Sequence, residues 1–225
     1  MKQILYAYKH AKAEQIASYC IPIIVNGAER GRLRPVTAES IRNKDEIGKL
    51  AKWREASSTW FASQFPMTEK GTLQWLEHKV IEADDRILFI VEDEGHSPIG
   101  HVGLIHYDEI KKECEYDNLL RGEKGSSGVN IIMYASIALG VWSLNSLNIE
   151  RGYINVLADN YRAIHIYKRL GAQEVKRQPL IKHVEGNVIR YVAANEELQE
   201  KAEREMLTLM ITKEAFLQSM QQFLK

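Results

Sequence analysis

Apolar and polar positions along this chain fall into short blocks whose period switches between two and about 3.6, the mark of alternating strands and helices. A weak helical pattern covers positions 10 to 19, and an apolar run from Ile21 to Val25, interrupted by Pro22, ends at the turn signal Asn26-Gly27. From Gly31 the segment RLRPV reads as a strand stopped at Pro35, with Thr37 placed to cap a helix starting at Ala38. The pattern predicts helices over 38–62 and 68–82, then two apolar runs, RILFIVED and IGHVGLIHYD, joined by a Gly/Ser/Pro turn as a hairpin. A strand over 113–120, a glycine-containing loop, a long apolar helix over 128–145, a strand over 150–157 and a helix over 160–170 follow. Two strands near 173–182 and 187–193 complete the predicted order β, α, α, β, β, β, α, β, α, β, β. After Asn195 the sequence is rich in helix formers with charges three and four apart, which predicts one or two further helices.

Composition narrows the field of functions. The 225 residues, 45% hydrophobic, suffice for one α/β domain with extensions. Thirty Lys and Arg balance thirty Asp and Glu, so no global field attracts nucleic acid or an anionic membrane, and any anion must be held locally. Cys20 and Cys114 form no C-x-x-C pair and no zinc spacing, so a reduced cytoplasmic protein without a structural metal is expected. The first residues, with Lys2, Lys9 and Lys12, are too short and polar an apolar segment for a signal peptide, and no window approaches a membrane span.

The chemistry-bearing pattern lies between Ile149 and Val175. Asn160, Ala163, Tyr167 and Gly171 are spaced three, four and four apart, one stripe of a helix along which a ligand could lie. Without a ligand, the same residues read as an N-cap, a half-buried aromatic and a C-terminal αL glycine. Upstream, Arg121-Gly-Glu-Lys-Gly-Ser-Ser-Gly128 sits between a strand and a helix start, where backbone N–H groups and the helix dipole suit a pyrophosphate.

These two motifs and the element order resemble the GNAT superfamily of acyl-CoA-dependent N-acyltransferases over residues 31 to 193. The resemblance implies an α/β (α+β) fold: a mixed central sheet flanked by helices over 31–195, with an N-terminal extension over 1–30 and a C-terminal helical extension over 196–225 that could mediate dimerisation. It implies acetyl-CoA as cosubstrate, held by Arg121, Gly122, Lys124, Gly125, Ser126, Ser127 and Gly128 at the pyrophosphate and by Asn160, Ala163 and Tyr167 along the pantetheine. The loop departs from the family pattern, running about one residue longer. Amides near Leu119 and Leu120 would polarise the thioester carbonyl, and Tyr167 would protonate the departing thiolate.

The base that deprotonates the amine is left among Glu115, Asp117, His101 and His106, with Asp117 and His101 preferred. Cys114 reads as a buried hydrophobe rather than a nucleophile. The segment with Trp53, Arg54, Trp60, Phe61, Phe65 and Trp75 resembles the branch that acetylates nucleotide-linked amino sugars, ribosomal proteins or polyamines. Trp53 and Arg54 are the expected acceptor-binding residues, and a nucleotide-linked amino sugar is the expected acceptor. A protein N-terminus or polyamine is the runner-up, and a non-catalytic CoA-binding scaffold the alternative of another class.

Overall fold

A computed structural model describes residues 2–124, 130–195 and 202–223. Among them, ten strands form one sheet in the order β1-β2-β4-β5-β6-β7-β10-β8-β9-β3. These are β1 (Ile21–Val25), β2 (Ala28–Pro35), β3 (Ser63–Gln64), β4 (Ile87–Asp93), β5 (Pro98–Asp108), β6 (Glu113–Arg121), β7 (Arg151–Leu157), β8 (Gln173–Glu185), β9 (Val188–Ala193) and β10 (Arg204–Thr212). The helices are α1 (Lys2–Lys9), α2 (Lys44–Ala56), α3 (Glu69–Leu76, continued by a π-helical turn to Ile81), α4 (Ile131–Ser146), α5 (Tyr161–Arg169) and α6 (Lys213–Met220). No described helix is long and apolar enough to cross a membrane.

The sheet separates two layers of core. On one face, α2 and α3 bury Leu50, Trp53, Leu76 and Val80 against Leu88, Ile90 and Leu120. On the other, α4 is apolar nearly all round because it is covered on several sides, by Phe89, Ile99 and Val102 of the sheet and by the α5 and α6 cluster containing Ile164, Leu170 and Phe216. A buried ionic chain pins α2 to the sheet: Glu92 accepts from Arg32 Nε at 2.6 Å and Arg34 Nε at 2.5 Å, and Arg34 also pairs with Glu46 on α2.

Two helices expected in the first third of the chain differ in extent or type. The predicted helix over 38–62 is shorter, a 3-10 turn Ser40–Arg42 followed by α2, because Asn43 caps α2 by accepting from the Asp45 and Glu46 amides. The apolar run Ile21–Val25 forms an edge strand, β1, paired with β2, and Leu5 and Ile23 are wholly buried. The helix expected near 10 to 19 is a 3-10 segment, Ala13–Tyr19, preceded by α1.

The largest correction concerns the expected helical tail. Residues 204–212 form β10, inserted antiparallel between β7 and β8, so the last central strand lies beyond the predicted pair of strands. Leu207, Leu209 and Ile211 alternate toward the core with period two. Burial of that face overrides the helix propensity of the surrounding Glu, Met and Leu residues. Among the described residues of the tail, α6 is the α-helix, and it packs so closely that a Cβ at Gly171 would lie 2.7 Å from the Ala215 carbonyl. Gly171, at φ +93°, thus serves both the turn after α5 and the approach of α6.

Candidate active site

The site begins where two strands part. β6 and β7 run parallel but pair only at Glu113–Arg151, Cys114–Gly152 and Glu115–Tyr153. Beyond Glu115 they splay, leaving a wedge between Tyr116–Arg121 and Ile154–Leu157. β6 is also bulged: Gly103 pairs with Asp117 and His101 with Leu120, so Asn118 and Leu119 together face Val102. Asn118 sits in the left-handed region at φ 56°, which Asn tolerates better than most residues.

Side chains from three elements hold this bulge. Arg54, on the last turn of α2, donates from Nη1 to Asn118 Oδ1 at 3.0 Å, and Asn118 Nδ2 donates to Asp117 Oδ2 at 2.6 Å. The Arg54 guanidinium lies 4.0 Å over the Trp75 ring and 5.2 Å from that of Phe61. Burial draws its pKa down to about 10, opposed by the charge of Asp117, so it stays cationic at neutral pH.

His101 completes the support. It is 0% exposed, and the acceptor character of the Asn118 carbonyl, 2.6 Å from Nδ1, makes Nδ1–H the donor and leaves Nε2 without a partner. Burial, with Arg54 nearby, pulls its pKa to about 3. The expectation that His101 carries the amine's proton is corrected accordingly: it is a sealed neutral donor bracing the bulge.

Asp117 is differently placed. Its pKa is raised, chiefly by burial, against the Asn118 hydrogen bond and the charges of Arg54 and Arg86. It lines two clefts. One, on the α3 side, is bounded by Trp75, Lys79, Arg86, Ile105 and Asn118. The other, on the α4 side, is apolar and includes Leu119 and Tyr167. Tyr167 reaches this junction from α5, and burial together with the Asp117 charge raises its phenol above the usual tyrosine range. Of the other candidate bases, Glu115 is shifted upward by burial and lies 3.9 Å from His106, on an exposed side chain. Cys114 is buried in the core with its thiol pushed up to about 12, which fits a packing role.

The residues expected to hold the cofactor divide between chemistry and support. Asn160 caps α5, its Oδ1 accepting from the Ala163 amide at 3.2 Å, and Ala163 is half-buried beside it. The turn carrying Asn160 is tied to β10 by Arg204, whose Nη2 donates to both Asp159 carboxylate oxygens at 2.7 Å. Leu119 packs between both core clusters on the α4 face, whereas Leu120 points into the α2 core. Arg121 is exposed and donates from Nε to the Glu123 carbonyl at 3.1 Å. Gly122 and Glu123 both donate backbone N–H to Ile99 O, at 2.9 and 3.0 Å. A Cβ at Gly122 would fall 2.0 Å from the Trp53 ring, so the indole lies flat against the loop's first residues. Trp53, expected to contact the acceptor, is buried against Gly122, while Arg54, equally buried, contacts Asn118 and Trp75, which border the α3-side cleft. Lys124 is exposed, and Gly125, Ser126, Ser127 and Gly128 lie outside the described residues.

A ligand lying in the splay along the N-terminus of α5 would reach Leu119, Asp117 and Tyr167 at its inner end. Asn160→Ser separates cap from ligand contact: serine keeps the capping oxygen but loses the amide donor. We expect folding stability within a few tenths of a kcal/mol of the parent and acetyl-CoA binding weakened by about 2- to 10-fold, the value of one hydrogen bond. Unweakened binding by calorimetry would leave Asn160 as a cap alone. Among the described residues no cluster of three or more His, Cys, Asp or Glu is arranged to hold a metal.

Sequence reading pointed to Asp117, Arg54, Asn160 and Tyr167, but it missed Trp75 as the platform for Arg54 and Arg86 as a wall of the second cleft. Both lie on elements that come together only across the α3–β4 connection, and nothing in their local spacing signals it.

Comparison with known proteins bears on the family and the fold. Residues 30–173 match the family described as acetyltransferase (GNAT) domain. The chain is 28% identical over 128 residues to the spermidine N(1)-acetyltransferase of Vibrio cholerae serotype O1, covering 57% of this chain and 72% of that protein. It is 26% identical over 140 residues to the spermidine N(1)-acetyltransferase of Escherichia coli strain K12, covering 62% and 71%. Among solved structures it resembles spermidine N-acetyltransferase from Vibrio cholerae in complex with CoA and spermine, with a TM-score of 0.59, 18% identity, and coverage of 84% of this chain and 98% of that one. A GCN5-related N-acetyltransferase from Brucella melitensis gives a TM-score of 0.62 at 16% identity, covering 87% and 81%. The chain belongs to the GNAT family of acetyl-CoA-dependent N-acetyltransferases.

Proposed function

We propose that the chain acetylates a primary amine of a polyamine, with Asp117 as the base and Tyr167 as the acid. The observation that carries this reading is the Asp117 carboxyl at the junction of the two clefts. An amine entering on the α3 side meets the carboxylate at the point where a thioester entering the splay ends.

Acetyl-CoA supplies the activated acyl group. Asp117 takes the proton that the amine must lose, as the new C–N bond forms and the C–S bond breaks. Tyr167, protonated at every physiological pH, gives its proton to the sulfur that departs. The register shift opposite Val102 interrupts the regular ladder at Asn118 and Leu119, and an amide there that donates to the developing oxyanion would contribute about 3 kcal/mol. Arg54, through Asn118, orients the carboxyl of Asp117.

The polyamine assignment is supported by the Vibrio cholerae and Escherichia coli relatives, both named for spermidine. The carboxylates of Asp117 and Glu115 on β6 supply negative charge for such a cation. One observation favours a second reading: the α3-side cleft is also walled by Lys79 and Arg86, with Arg54 stacked on Trp75 beside it. Cations and an aromatic face suit an amine that carries an anionic group, such as a nucleotide-linked amino sugar.

The two acceptors differ in the sign of their charge, so one comparison separates them. The polyamine reading expects kcat/KM with acetyl-CoA and spermidine to exceed that with a UDP-linked amino sugar by at least tenfold, and to rise when Lys79 is changed to Ala. A higher rate with the nucleotide sugar, lowered by Lys79→Ala, would replace the polyamine by the anionic acceptor.

A further inference from the structure

The α4-side cleft extends well past the point where the reaction would occur. From Leu119 and Tyr167 it runs beneath the paired base of β6 and β7, away from the open end of the splay, along the later turns of α4. Its deeper walls are Leu139, Leu144, Ile149, Ile154, Ala172 and Phe216. These are apolar, and all but Leu144 are buried. Of the groups expected at the pyrophosphate or pantetheine, only Tyr167, at the reacting end, borders it; Arg121, Gly122, Lys124, Asn160 and Ala163 do not. The deep part is therefore not the slot for the CoA arm.

The cleft has a volume of ≈ 40 Å³, against roughly 10–15 Å³ for a single water-sized occupant. That is room for about three such groups. Asp117, Ser136, Glu150, Thr212 and Lys213 also border the cleft, but its lining is mainly apolar, and a hydrocarbon chain buries its surface there. A thioester delivered along the splay, with its carbonyl beside Leu119, directs its acyl carbons toward this end.

We infer that the cleft is an acyl-chain subsite, and that the protein accepts short straight-chain acyl-CoAs of three or four carbons as well as acetyl-CoA. This rests on the acyltransferase reading of the splay and adds to it the class of donor. The bond changes are those of acetyl transfer, with a longer chain on the carbonyl carbon.

Binding tests this without knowledge of the acceptor. Calorimetric titration of the intact chain with acetyl-, propionyl-, butyryl- and octanoyl-CoA should show affinity rising a few-fold per added methylene as far as butyryl, the gain expected for burial of one methylene. Affinity should then fall for octanoyl-CoA, which exceeds the cleft. Leu144→Phe and, independently, Ala172→Val fill its far end. Each should abolish the gain for butyryl-CoA while acetyl-CoA binds as before, and thermal melts identify a variant that has lost its fold. Butyryl-CoA bound tenfold more weakly than acetyl-CoA by the parent chain would overturn the subsite, as would a gain that continues to octanoyl-CoA or survives both variants. Failure of acetyl-CoA itself to bind would overturn the cofactor placement in the splay, a distinct result that removes the subsite with it.

Discussion

Asp117→Asn should lower kcat by roughly 10²- to 10⁴-fold, the range contributed by a positioned proton acceptor, while acetyl-CoA binding stays unchanged. Asparagine preserves the shape of the side chain and can still hydrogen-bond Asn118, so the bulge on β6 should persist. The loss is chemical: an amide has no lone pair basic enough to take the amine's proton. Asp117 also predicts the pH dependence. A base acts only when ionised, and burial raises its folded pKa above the ordinary aspartate value near ~3.9. Activity is therefore present above that raised pKa and lost as pH falls through it, so the acidic limb of kcat should lie higher than for an exposed aspartate. A variant that retains the parent rate and acidic limb would transfer the role to another group, with Glu115 the nearest alternative on the same strand.

Tyr167→Phe should also reduce kcat by roughly 10²- to 10⁴-fold if its hydroxyl protonates the departing sulfur. Removing one oxygen from a side chain on the apolar wall of the cleft leaves its packing against the α5 cluster intact, so folding and CoA binding should change little. Burial holds the phenol protonated, which means that no basic limb below the usual tyrosine range should arise from it. An unchanged kcat with an amine of good nucleophilicity would remove Tyr167 from proton transfer and leave it as a wall residue.

The parts of this site that lie close together in the chain were legible in the sequence. The stripe Asn160, Ala163, Tyr167 needs only the 3.6-residue period to bring its members to one line, and α5 places them so. Asp117 and Leu119 were legible as neighbours on one strand. The bulge that sets them apart was not, because it depends on how β5 pairs with β6 rather than on either strand by itself. His101 shows the other limit. A histidine on a strand near the site suggests a proton carrier, but full burial and a carbonyl partner decide otherwise, and neither can be read from spacing. Trp53 shows the same limit: its indole lies against Gly122, a contact between residues almost seventy positions apart. The strand β10 was mistaken for helix because its local propensities and its period disagree, and central placement in the sheet let the period prevail.

The central claim, that acyl-CoA lies in the splay between β6 and β7 along α5, is tested most directly by calorimetric titration of acetyl-CoA into the parent chain and into Ala163→Glu. Position 163 is the third residue of α5, where glutamate favours a capped helix N-terminus, so folding should not suffer. Its added bulk and charge would nevertheless occupy the line along which the cofactor passes. The account predicts one-to-one binding by the parent and, for the variant, affinity weaker by at least about tenfold, or about 1.4 kcal/mol. Equal affinity in a folded variant would contradict it and place the cofactor elsewhere on the sheet.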